Sequence, residues 1–109
     1  MRTFFGGTFL EKEELKEAGI FHPIKLEYYK KINEDLVNSN NKAKYGISIV
    51  KTEYIENDVK VYKKDINYIT NDEVEEDKIL KIFKENKVTP INSEEIILDL
   101  FKGKFGFNI

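Results

Sequence analysis

Between Ile24 and Ile69 the apolar residues recur mostly at every second position. From Ile79 onward they recur at steps of three and four. A period of two lines one face of a strand, and a period near 3.6 lines one face of a helix. This change of period divides the chain into a β part and an α part, and it constrains the fold more than any single residue does.

In the β part, Ile24, Leu26, Tyr28 and Ile32 alternate with Lys25, Glu27 and Lys31, which predicts a half-buried strand with Tyr29 on its outer side. The segment from Asn33 to Lys42, rich in Asn and Ser, reads as a loop. Tyr45, Ile47 and Ile49 begin a second strand that runs to about Ile55, with Gly46 and Ser48 on its other side. A turn at Glu56-Asn57-Asp58 leads to a third strand through Val59 and Val61 toward Ile66 and Ile69. Three successive strands with short or polar links predict an antiparallel meander. The outer sheet face is expected to carry Lys25, Glu27, Ser48, Lys60 and Tyr62.

In the α part, Thr70 and Glu73 have the spacing of a capping box, and Ile79, Leu80, Ile82 and Phe83 form an apolar stripe. Pro90 ends this helix. Asn92 and Glu95 repeat the capping spacing, and Ile97, Leu100 and Phe101 share a face of a second helix closed by Gly103. At the other end, Thr8 and Glu11 suggest a cap for a short helix over Glu11 to Ala18, with Gly19 in the left-handed C′ position. The predicted architecture is a single α+β domain over residues 1–109. It has a three-stranded antiparallel meander packed on one face by two C-terminal helices, and a short N-terminal helix.

The helix pair has the outline of a DNA-reading helix-turn-helix, but its second helix opens Ser93-Glu94-Glu95. Two carboxylates there oppose the phosphate backbone, whose attraction dominates DNA affinity. The formal charge is −2, and of the 18 basic residues only Arg2 offers the planar fork preferred for guanine and phosphate. A lysine ribbon of Lys60, Lys63 and Lys64 remains as a nucleic-acid candidate, and a homodimer would bring two such ribbons together.

Catalytic chemistry lacks its parts. There is no cysteine, which excludes disulfides and thiolate chemistry, and the one histidine, His22, has no carboxylate pattern near it in sequence. No calcium loop, zinc-protease motif, nucleophile elbow or phosphate-cradling loop is present. The acidic run from Asp72 to Asp77 sits where a helix begins, a place that favours acids for dipole reasons alone. The expectation is therefore a non-enzyme without catalytic residues, cofactor or metal. No apolar run approaches the ~20 residues that span a bilayer, and the acidic, broken start is a poor signal peptide, so the expected location is the cytoplasm with no membrane partner.

What is left is recognition of another protein. The exposed tyrosines Tyr29, Tyr54 and Tyr62 belong to a residue type enriched at interface hot spots. The acidic helix start, Glu73, Glu75, Glu76 and Asp77, suits a partner with a basic nucleic-acid-binding surface. The Phe-rich ends, Phe4-Phe5 and Phe105 with Phe107, add adhesive surface.

The stretches "LEYYKKI", "KYGISIVKTEYIENDVKVYKKDINYIT" and "ENKVTPINSEEIILDLF" carry a resemblance. From about Ile24 to Phe101 the chain resembles a family of small clostridial proteins of unknown function, and the opening "MRTFFGGTFLEKEELKEAG" falls outside it. The resemblance implies the strand-strand-strand-helix-helix order and assigns no activity or site residue. The functional expectation is a regulator or inhibitor that occupies a partner's surface. By analogy of size and charge, this includes phage or mobile-element inhibitors of bacterial nucleic-acid-handling proteins, of the anti-CRISPR kind. The runner-up is a small DNA-binding transcriptional or plasmid regulator.

Overall fold

The computed structural model describes residues 1–34 and 43–102. Its elements are β1 (Arg2–Leu10), α1 (Lys12–Leu15) running into a 3-10 turn (Lys16–Ala18), β2 (Ile24–Ile32), β3 (Tyr45–Ile55), β4 (Asp58–Thr70), α2 (Glu73–Glu85) and α3 (Ser93–Phe101). The four strands form one antiparallel sheet in the order β1-β2-β3-β4, so each strand pairs only with its neighbours in sequence.

The α+β class and the meander are as expected, but the sheet has four strands, not three. The added strand is β1. Its ladder with β2 shifts between Phe4 and Gly6, a bulge that leaves Phe5 without a register partner. The bulge breaks the period of two, so the "FFGG" pattern does not read as a strand. Thr8 pairs with Leu26 inside the sheet and caps nothing; Glu11 precedes α1 without a side-chain cap. Gly19 does take the left-handed conformation, with φ 76°.

The buried cluster joins Ile24, Leu26 and Tyr28 of β2 and Ile47 and Ile49 of β3 to Ile79, Leu80 and Phe83 of α2 and Ile97 and Leu100 of α3. The Tyr28 hydroxyl donates to the Val88 carbonyl at 2.8 Å, which satisfies two buried polar groups between sheet and helix layer. Burial also raises the Tyr28 pKa, so the phenol stays neutral.

Helix starts also differ from the expected capping boxes. Asp72 caps α2 by accepting from the Val74 amide at 2.9 Å, while Thr70 accepts from the Asp72 amide at 3.1 Å. Asn92 makes no side-chain cap, and the turn before α3 is tied instead by Ser93 Oγ donating to the Pro90 carbonyl at 2.8 Å. The Phe105–Phe107 tail and Gly103, together with residues 35–42 of the expected loop, lie outside the described residues.

The β3–β4 hairpin sets the register of the last strand. Ile55 faces Asp58 across a turn in which Asn57 has φ 66°, so Glu53 pairs with Lys60 and Lys51 with Tyr62. Residues paired across a ladder share a sheet face. Lys60, Tyr62 and Lys64 therefore lie on the core face with Ile49 and Ile47, and Val59, Val61 and Lys63 on the opposite face. This reverses the expected placement of Lys60 and Tyr62. The sequence alternation misleads because Val59 and Val61 belong to one face and Ile66 to the other.

Candidate protein-binding face

Away from the core, the ladder registers set side chains of the four strands in rows. One row is Phe9, Lys25, Thr52 and Val61; the next is Gly7, Glu27, Val50 and Lys63; a third is Phe4, Tyr29, Ser48 and Asp65. Tyr54 and Val59 extend the face at one end, and Arg2 with Lys31 at the other. The small central residues Ser48 and Thr52 are buried among larger neighbours. The large apolar ones stand out: Phe4 is 56% exposed, Phe9 49%, Val59 57% and Val61 62%.

These side chains organise one another. The Phe4 ring meets Tyr29 edge-on with centroids 5.5 Å apart, and the Arg2 guanidinium lies 4.1 Å from the Tyr29 ring centroid. The Tyr29 hydroxyl donates to Glu27 Oε2 at 3.0 Å. Burial, then this bond, raises the Tyr29 pKa. Phe9 and Tyr54 form a second aromatic pair, centroids 6.1 Å apart. Charges of both signs are interspersed and paired: Lys25 with Glu27 at 3.7 Å, Lys31 with Asp65 at 3.7 Å and Lys63 with Asp65 at 3.5 Å. An aromatic and β-branched surface with self-neutralised charge is suited to desolvation against another apolar surface. The sequence marks Phe4-Phe5 as adhesive, but the place of Phe4 and Phe9 on this face follows only from the ladder of β1 with β2.

The expected site residues distribute unevenly over the molecule. Tyr29 and Tyr54 belong to this face. Tyr62 lies on the other side, with the Lys51 ammonium 4.8 Å from its ring centroid. The acidic start of α2 is not a free acidic patch. Glu73 and Asp77 pair with Lys30 at 3.2 and 2.9 Å, and the Asp77 bond raises the Lys30 pKa against burial, helped by Glu73. Glu76 points inward at 1% exposure and has no hydrogen-bond partner for either oxygen among the described residues. Burial pushes its carboxyl up to about 7, offset in part by Lys30. Glu75, like the buried Glu76, has no ion pair among the described residues, and it is half-buried.

Lys60, Lys63 and Lys64 do not form one ribbon. Lys63 points to the open face toward Asp65, and Lys64 points to the core side, where it meets Glu94 at 2.6 Å. His22, solitary in sequence, finds a carboxylate in space: its Nε2 donates to Glu53 Oε2 at 2.6 Å, with Lys51 3.5 Å from the same carboxylate. Burial works to raise the Glu53 pKa, but the His22 bond and Lys51 outweigh it and hold the carboxyl below its usual range. The pair ties the entry of β2 to β3. Among the described residues no group of three or more His, Asp or Glu side chains is arranged to hold a metal ion, and no helix is long and apolar enough to cross a membrane.

Residues 9–103 match a family of unknown function, DUF6514. The match starts within β1, so it takes in α1 and the turn to β2, which the resemblance from Ile24 had left out. No curated protein and no solved structure matches the chain.

Proposed function

The chain belongs to this family, DUF6514, and from that premise and the open face we propose that it is a non-catalytic protein-binding module. It acts as a regulator or inhibitor by covering a partner's surface. The observation that carries the reading is the open sheet face, where Phe4, Phe9, Tyr54, Val59 and Val61 stand exposed around paired charges. The partner is a protein with an apolar patch of its own. Its charged rim matters less than the acidic start of α2 suggests, because Lys30 already neutralises Glu73 and Asp77 and the fold buries Glu76. Regulation of a nucleic-acid-handling protein, by a phage or mobile-element inhibitor among others, is one biological setting for such a module.

The test compares the full chain with a Phe9→Ser/Tyr54→Ser variant as bait in host lysate treated with nuclease. Both positions are exposed, so the variant should keep its melting temperature within a few degrees. A protein retained by the original chain and lost by the variant supports the reading; equal retention by both refutes it. Direct DNA contact through Lys60, Lys63 and Lys64 is the competing reading. It requires binding to random duplex that weakens steeply with salt.

A further inference from the structure

The outer side of β4 has no strand against it among the described residues. Every residue from Asp58 to Lys63 is exposed, and an open groove of about 490 Å³ beside Val61–Lys64 is lined also by Pro90, Ile91 and Glu94, with Ile91 85% exposed. A long unpaired edge is a template for another strand, and natural proteins commonly guard such edges with lysine. Here the guards are Lys60, Lys63 and Lys64, and their spacing makes the edge selective.

When two copies of one strand pair antiparallel about a two-fold axis normal to the sheet, the faces are preserved. Each residue then meets one of the same parity in the second copy. An axis through Lys60, Lys63 or Lys64 sets that lysine against itself. An axis through Tyr62 sets Lys60 against Lys64 twice. An axis through Val61 sets no lysine against a lysine. It places Asp58 opposite Lys64 of the second copy, Lys60 opposite Tyr62, Val59 opposite Lys63, and Val61 against itself. Every one of these contacts but the central one occurs twice. Opposite charges and a cation beside a ring are favourable across a ladder, and like charges are not.

We propose that β4 is the seam of a homodimer, in which the Asp58–Lys64 segments of two copies pair antiparallel about Val61 and join the two four-stranded sheets edge to edge. Among axes from Lys60 to Lys64, charge self-complementarity favours a second copy in this one register. The proposal shares Val59 and Val61 with the open-face reading, but it does not use the aromatic pairs Phe4–Tyr29 and Phe9–Tyr54.

Sedimentation equilibrium on the full chain, from micromolar to millimolar, should show a dimer. Asp58→Lys sets two lysine pairs across the seam and should weaken it roughly tenfold, while Asp58→Lys/Lys64→Asp should restore it. The chain has no cysteine, so Val61→Cys supplies a single thiol. Under mild oxidation it should give a disulfide-linked dimer, because paired Cα atoms at a seam lie within disulfide reach. Lys63→Cys, whose two thiols the register holds apart, should not. A monomer at every concentration overturns the proposal, including one whose edge accepts another protein's strand. So does a dimer indifferent to Asp58→Lys, or one in which Lys63→Cys cross-links as readily as Val61→Cys.

Discussion

Glu76 shows how a charged residue changes meaning once its neighbours are known. In sequence it is one of several acids at a helix start, and only the fold reveals that it is buried, at 1% exposure. Its carboxyl is raised from 4.5 to about 7 by that burial. The folded state therefore holds a proton that the unfolded state releases at lower pH, so the Glu76 contribution to stability is fully present below pH 4.5, is lost as pH rises through about 7, and then levels off. The shift corresponds to roughly 3 kcal/mol. Glu76→Gln should flatten this dependence and raise the melting temperature at pH 8, measured by calorimetry across pH 5 to 8, whereas a variant as pH-sensitive as the original chain would contradict the assignment. Glu53 runs the other way. Its depressed pKa stabilises the fold above the ordinary carboxylate range, and this contribution is lost as pH falls through the folded value. Glu53→Gln should thus cost about 1 kcal/mol near pH 7 in denaturant titration, and nothing once the carboxylate is protonated. Neither role was legible beforehand. One depends on which side of α2 faces the sheet, and the other on a contact 31 residues away in sequence.

Elements with an unbroken hydrophobic period were readable: β2 and β3 as strands, α2 and α3 as helices, with Gly19 closing the short N-terminal helix. Elements with a defect were not. A bulge splits the pattern of β1, and β4 carries apolar residues on both faces in turn, so its orientation follows the turn at Asn57 and not the valines. A second irregularity, between Tyr45 and Ile47, explains Gly46. A side-chain carbon there would collide with the carbonyl oxygens of Ile66 and Asn67, where β4 swings across β3. Gly46→Ala should therefore destabilise by at least ~2 kcal/mol in urea titration. An equally stable variant would mean that the two backbones are farther apart. The caps make a similar point. Spacing alone nominated Thr70, but Asp72 makes the bond to the first turn of α2. Asp72→Ala should cost about 1 kcal/mol, more than Glu73→Ala, in the same measurement.

At the scale of the whole molecule, the sequence conveyed the class and the order of the parts, but not which surface is left uncovered. One edge of the open face is built by β1, the strand absent from the sequence reading, so Phe9, and the place of Phe4 beside Tyr29, emerge only through the register with β2. Removing residues 1–10 should expose the β2 edge together with core neighbours of Leu10. Such a truncated chain should melt at least ~10 °C lower and aggregate on heating, as followed by light scattering. A truncated chain that melts with the original would demote β1 to an ornament. The neighbour-only pairing of the strands has one more consequence. As the chain leaves the ribosome, each hairpin can close as soon as its second strand emerges, with no earlier segment left waiting for a distant mate. The helices that seal the apolar side, α2 and α3, are translated after the sheet. Released chains that end before Ile79 would carry the four strands with one greasy side bare, the kind of product that chaperones hold and proteases clear.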